Sequence, residues 1–211
     1  MMEPAVPARQ ERFVTRQERI LDAALDVFAQ HGYQQATVDD IASTARTSKG
    51  GIYFHFPGKD AIFLALLDRS ASLLLARVGE RVGAESDPIA KVDAALLALV
   101  RTFGSHRALA RLFLVEARGA GPRFHARLAD VQSGFIAFLQ QQLDEAVAQS
   151  LVPPFDTEVA SQAWFGALNQ VVTSWALADH PRPLEETYPH LRALLLRSIG
   201  LLDPAEPEVP G

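Results

Sequence analysis

Residues 37–59 read TVDDIASTARTSKGGIYFHFPGK, and this stretch decides the fold. Thr37 stands where a helix N-cap belongs, with Asp40 three positions on, the spacing of a capping box. The helix it opens, Val38–Ala45, is short. Arg46-Thr47 makes a turn, and Ser48 is a second N-cap candidate whose helix runs through Phe56. Pro57-Gly58 ends it. Two short helices on a tight turn have the dimensions of a helix-turn-helix, with the motif over 37–56. In such a unit the second helix enters the major groove, about 12 Å wide, with its N-terminal residues on the base edges. Those positions call for small or basic side chains, and Ser48, Lys49, Gly50 and Gly51 supply them. Gly50-Gly51 is a poor helical pair, weaker than alanine by about 1 kcal/mol each. It is either a simple loop or a place where missing side chains let the backbone approach DNA. Tyr53 and His55 add polar reach, and Lys59, near the next helix start, is a candidate phosphate donor.

The charge pattern agrees locally and not globally. Twenty Lys+Arg against 25 Asp+Glu give −5, which argues against a protein that coats nucleic acid over its whole surface. Residues 41–59, however, hold no acid and three bases, Arg46, Lys49 and Lys59. On charge alone this is a solvated basic turn or a DNA-facing one.

Outward from the motif, the pattern is helical throughout. Ile20, Leu21, Ala24, Leu25, Val27 and Phe28 form a helical stripe over Arg12–His31, which Gly32 stops. Residues 1–11, with two prolines and no periodicity, read as a flexible arm. After Gly58 come Lys59 to about Arg81, Ile89–Phe103 behind the Asp87-Pro88 start, Arg107–Arg118, Arg123–Ser150, Thr157–Asp179 capped by Asp156, and Leu184–Leu202. No run alternates as a strand would. The expectation is all-α with about nine helices: a helix-turn-helix domain over 12–60, an effector-binding and dimerisation domain over 61–202, and a disordered tail, 203–211.

Composition closes other routes. At 48% hydrophobic and 21% charged, 211 residues can bury a real core. With no cysteine there is no disulfide, thiolate nucleophile or Cys-based metal site. The first residues have no apolar signal region, and the longest apolar run, AALLALV at 94–100, is too short to span a membrane. A cytoplasmic protein without membrane contact is the expectation. The six histidines form no zinc pair, and Pro189 separates Glu186 from His190. There is no G-x-S-x-G, P-loop or G-x-G-x-x-G, so no enzyme activity, cofactor or metal is expected.

Taken together, residues 16–63, RQERILDAALDVFAQHGYQQATVDDIASTARTSKGGIYFHFPGKDAIF, resemble the DNA-binding domain of TetR-type bacterial transcriptional regulators, over about 14–74. Ile20-Leu21, Ala23-Ala24, Phe28 and Gly32 carry the likeness in the first helix. Thr37, Ile41, Ala42 and Ala45 carry it in the second; Ser48-Lys49-Gly50, Ile52-Tyr53, His55-Phe56 and Lys59 carry it in the third and its exit. The resemblance implies a nine-helix homodimer on double-stranded operator DNA, with a small effector in the C-terminal domain. It places DNA contact on Thr37, Ser48, Lys49, Gly50, Tyr53, His55 and Lys59; Arg46 and Gly51 complete our candidate set. The chain departs at Arg46-Thr47, where the family has glycine and an aliphatic residue. A left-handed turn residue suits glycine, so Arg46 is expected to be mildly strained: either the turn is drawn differently or the side chain is useful, against a phosphate.

The C-terminal half is aromatic-rich, and WFGALNQVVTSWAL, 164–177, is similar to the corresponding helix of fatty-acyl-CoA-responsive members. Phe103, Phe113, Phe138, Trp164, Phe165 and Trp175 are core or ligand box, and Asn169 is a polar group able to orient a ligand. Arg107 and Arg111, with Arg118, either answer phosphates or form a solvated stripe. Apolar residues on more than one face of 157–179 and 184–202 suit a core and a two-fold partner. The functional expectation is a ligand-responsive repressor, released by an apolar effector such as an acyl-CoA. The alternatives are a drug or aromatic metabolite as effector, an activator, or a helical enzyme or carrier.

Overall fold

A computed structural model describes residues 8–116 and 120–201, with side chains from Thr15 onward. Among them are nine α-helices and no strand. They are α1 (Ala8–Gln35, kinked at Gly32, whose φ 73 and ψ 160 are not helical), α2 (Val38–Thr44), α3 (Lys49–His55), α4 (Lys59–Val82), α5 (Pro88–Ser105), α6 (Arg107–Arg111), α7 (Pro122–Ala148), α8 (Thr157–Leu177) and α9 (Tyr188–Ser198). A π-helical turn, Leu112–Glu116, continues α6, and a 3-10 turn, Leu184–Thr187, precedes α9.

The helix starts follow from local chemistry. Thr37 and Asp40 form the reciprocal capping box, Ser48 caps α3, and Asp87 and Asp156 cap α5 and α8. Four expectations need correction. The arm 1–11 is helical from Ala8, where Ala8-Arg9-Gln10-Glu11 are all strong helix formers; residues 1–7 lie outside the described set. The helix expected over Arg107–Arg118 is broken into α6 and the π turn, and Arg118 lies outside the described residues. The last helix begins at Tyr188, not Leu184, because Pro189 is tolerated only in a first turn. It ends at Ser198, and Gly200 follows with φ 82. Residues 202–211 are outside the described set.

The apolar stripe of α1 is buried at Ile20, Leu21, Ala24, Val27 and Phe28, and the helix packs on α2, α4, α6 and the π turn. Ile41 and Ile52, both fully buried, anchor the two short helices into this core. Each such side chain contributes about 1.5–3 kcal/mol by leaving water. The long α4 serves both ends of the molecule. Ile62, Phe63, Leu66 and Leu67 are buried in its first half, and Leu74 and Val78 further on. There it packs on α5, which packs on α7, and α7 on α8.

Candidate nucleic-acid interface and effector cavity

Lys49, Gly50, Tyr53 and Phe54 form the exposed face of α3, with Ile52 pointing into the core behind them. Ser48 Oγ accepts the Gly51 N–H at 3.1 Å, so the cap lies beside the residues that would meet DNA. A Cβ on Gly50 would find only Ser48 Oγ, at 3.9 Å, whereas one on Gly51 would stand 2.5 Å from Thr47 Oγ1. Gly51 is therefore dictated by Thr47, and Gly50 is left without a packing reason to be glycine. Arg46 is in the left-handed region, φ 53, as its place in the turn implied. Thr37 and Arg46 are both exposed.

The polar groups differ in how available they are. Lys49 Nζ pairs with Asp39 at 2.7 Å, and that bond raises its pKa. Both side chains are more than half exposed, so the pair is weak and a phosphate can displace the carboxylate. The Thr37 hydroxyl and backbone hold the Asp40 carboxyl below its ordinary range. Burial first, and the Arg16 charge second, lower the pKa of the half-buried His55. Lys59 departs from its expected role. Its Nζ donates to the carbonyls of Tyr33 at 2.8 Å, Gln34 at 3.2 Å and Ala36 at 3.0 Å, and lies 4.6 Å from the Tyr33 ring centre. An ammonium has three protons. All three are used to tie the end of α1 to the start of α4, and a phosphate contact would have to break them.

The second feature is an apolar cavity framed by α4, α5, α7, α8 and the π turn. It contains about 620 Å³ of empty space, mouth included, and is narrow, since the centre of a water molecule can roam only about 70 Å³ of it. Leu74, Leu75 and Val78 of α4 line it with Leu99 and Phe103 of α5 and Phe113 and Leu114 of the π turn. Leu128, Val131, Gln132 and Phe135 come from α7, and Phe165, Leu168, Asn169 and Val172 from α8. Asn169 Oδ1 is shut off from solvent with no hydrogen-bond partner.

Of the nine residues named from the sequence, Phe103, Phe113, Phe165 and Asn169 come together on the cavity. The other five do not line it. Trp164 is buried with its Nε1 donating to Ser198 Oγ at 3.0 Å, which binds α8 to α9. Trp175 donates to the Arg182 carbonyl at 2.8 Å. Arg107 lies 5.7 Å from the Trp175 ring centre and donates to the carbonyls of Ala176 and Ala178, closing the C-terminal end of α8. Arg111 has a buried Nε, and Phe138 packs on Phe135 at 6.2 Å between ring centres. Sequence reasoning missed the aliphatic wall and Phe54, a 70%-exposed ring on the reading face. The period of α4 carried a signal for the first, as Leu74, Leu75 and Val78 continue its stripe toward the second domain. For Phe54 there was none beyond its place in the motif.

No helix among the described residues is long and apolar enough to cross a membrane, and no group of three or more metal-capable side chains occurs among them. Comparison with known proteins gives two family matches: bacterial regulatory proteins of the tetR family over residues 20–66, and the C-terminal region of YsiA-like proteins over 68–198. The fatty acid metabolism regulator protein of Bacillus subtilis is 25% identical over 162 residues, 76% of this chain and 84% of that protein. The fatty acid degradation regulator FadR of Bacillus halodurans has a solved structure that superposes with a TM-score of 0.77 at 27% identity, covering 87% of this chain and 98% of that one. The regulator FadR of Bacillus subtilis, solved in complex with stearoyl-CoA, gives 0.79 at 24% identity over 86% and 98%.

Proposed function

The chain belongs to the tetR family of bacterial regulatory proteins, and from that premise we propose that it is a cytoplasmic transcriptional repressor released from operator DNA by a long-chain acyl-CoA. The observation that carries the effector reading is the cavity, a narrow slot whose wall is apolar except for Gln132 and Asn169. Such a slot suits a flexible hydrocarbon chain better than a broad aromatic ring system. Burying the roughly eleven apolar carbons of a lauroyl chain at about 0.8 kcal/mol each gives about 9 kcal/mol. That is near the 8.2 kcal/mol of a micromolar complex, before ordering costs. The relative solved with stearoyl-CoA supports the same class.

DNA contact falls to Thr37, Arg46, Ser48, Lys49, Gly50, Gly51, Tyr53 and His55, with Phe54 added and Lys59 holding the helices in place. Two reading heads on a two-fold axis meet half-sites about 34–36 Å apart or a multiple of that. Val159 and Leu177 on α8 and Leu194 on α9, 61%, 52% and 63% exposed, are apolar residues free to meet a second copy. The effector acts by binding the DNA-incompetent arrangement more tightly than the competent one. The test titrates lauroyl-CoA, laurate and CoA against the protein–operator complex, following fluorescence anisotropy. Lauroyl-CoA releases DNA at micromolar levels and CoA alone does not. Release by none of the three, or equally by CoA, removes the acyl-CoA reading and leaves a drug or aromatic metabolite as effector.

A further inference from the structure

The π turn belongs to the cavity and to the DNA-reading unit at once. Phe113 and Leu114 are cavity wall. Two positions on, Glu116 Oε2 accepts the backbone N–H of Tyr33 at 2.8 Å, joining residues 83 apart in sequence. The approach is tight. Gly32, just before, has φ 73, and a Cβ there would stand 3.2 Å from the same oxygen. Only glycine satisfies both the backbone and the space.

Tyr33 is where the reading head is tied together. Its ring is buried 5.8 Å from Phe28 of α1, 4.7 Å from Phe63 of α4 and 5.3 Å from Phe124 of α7, centre to centre. Its hydroxyl donates to Asp60, and its carbonyl accepts from Lys59 at 2.8 Å. Lys59 and Asp60 are the first turn of α4, which starts three residues after Phe56 ends α3. A carboxylate on a backbone N–H is a directional, charge-assisted bond, lost with about an ångström of displacement. Single π turns inside α-helices are frequent at functional sites.

We infer that Glu116 is the positioning residue that couples the cavity to the reading head: a ligand that pushes on Phe113 and Leu114 draws its carboxylate off the Tyr33 N–H and frees the first turn of α4, and α3 with it. The inference rests on the cavity being the effector site proposed above, but not on the effector being an acyl-CoA.

A bulky cavity residue stands in for the ligand in the test. Leu168→Phe, or Val131→Phe where that variant melts early, is combined with Glu116→Ala and Glu116→Gln in a double-mutant cycle. Affinity is read on a duplex selected in vitro with the wild-type protein, and the Tyr33 amide by hydrogen exchange. In the otherwise wild-type chain the filler weakens operator binding by about fivefold or more, the lower end of ordinary allosteric coupling. It also speeds Tyr33 exchange. With Glu116→Ala the same filler changes affinity by less than about twofold, so most of that coupling is gone. Glu116→Gln keeps part of the effect, because its amide oxygen still accepts. Fillers that leave operator affinity unchanged, or that weaken it by the same factor with and without Glu116, overturn the inference. Should the cycle hold while lauroyl-CoA fails to release the wild-type protein, the acyl-CoA reading alone falls.

Discussion

Replacing Arg46 by glycine is expected to make the protein more stable and a worse DNA binder. The structure supplies the reason and its control. At the end of α2, Thr47 N–H bonds to the Ala42 carbonyl at 2.9 Å and Arg46 N–H to that of Ser43 at 3.1 Å. This is the Schellman ending, whose left-handed position normally falls to glycine. The same pair of bonds closes α7, with Ser150 at φ 58, and α9, with Gly200 at φ 82. One backbone geometry is thus filled by arginine, serine and glycine. A left-handed residue with a Cβ costs about 1–2 kcal/mol, and glycine returns about 0.5–1 of that in unfolded-chain entropy. Arg46→Gly and Ser150→Gly should therefore each gain about 0.5–1 kcal/mol, a rise in Tm of about 1–4 °C for a chain of this size.

The two variants part company on DNA. If Arg46 neutralises a phosphate, Arg46→Gly lowers the slope of log K against log salt by about 0.9 per reading head, or about 1.8 for a dimer on a full site. Ser150→Gly leaves that slope alone. Calorimetry gives the first quantity and anisotropy over a salt series the second. A stabilised Arg46→Gly variant with the wild-type slope would show that the side chain does not meet the backbone of DNA. A destabilised one, beside a stabilised Ser150→Gly, would show that the arginine makes a native contact worth more than the strain.

The remaining predictions follow from single contacts. Lys59→Met, losing three carbonyl partners, destabilises by about 1.5–3 kcal/mol and leaves the salt slope within error, measured by chemical denaturation and the same titration. Gly51→Ala lowers Tm through the 2.5 Å clash with Thr47 Oγ1, and Thr47→Ala restores it, while Gly50→Ala raises stability by about 1 kcal/mol yet weakens operator binding. His55 resists protonation in the fold, so the unfolded chain binds the proton first as pH falls through the ordinary histidine value of about 6.5. Stability therefore drops as pH falls through that ordinary value and on toward the lower value at which the folded chain takes up the proton, and His55→Gln should flatten that part of a Tm–pH profile.

What was legible in the sequence was what is settled within a helical turn or two. Thr37 with Asp40, Ser48, Asp87 before Pro88, and Asp156 are caps fixed by neighbours three residues away, and all were read correctly. The left-handed turn at Arg46 was legible only through the resemblance, which puts glycine at that position. The partners of Lys59 and Arg107 were not. Their carbonyls lie 23–26 and 69–71 positions away, and a long cationic side chain reaches whichever helix end the tertiary fold brings near. For Trp164 and Trp175 the sequence offers core and ligand box alike, because aromatic periodicity reports burial without saying whether the neighbour is a cavity or another helix; both indoles bond to protein groups instead of lining the cavity. The π turn had no local signature at all. Its last residue, Glu116, meets a partner 83 positions away, the Tyr33 N–H.

Departures from local folding rules gather on the face that would meet DNA. Arg46 stands where glycine belongs, Gly50 stands where nothing prevents a better helix former, and Phe54 holds an apolar ring 70% in water. Ser150 shows that one such departure means little alone; three on one surface, against a core of ordinary caps and stripes, are what a binding site leaves in a sequence. They also bear on control. A seven-residue helix containing two glycines has no stability of its own. Its shape is imposed by Ile52 and Phe56 in the core and by α2, on which it packs. A reading helix that takes its shape from its supports follows them, so a displacement at Tyr33, Lys59 and Asp60 reaches the DNA face through the three residues that join α3 to α4.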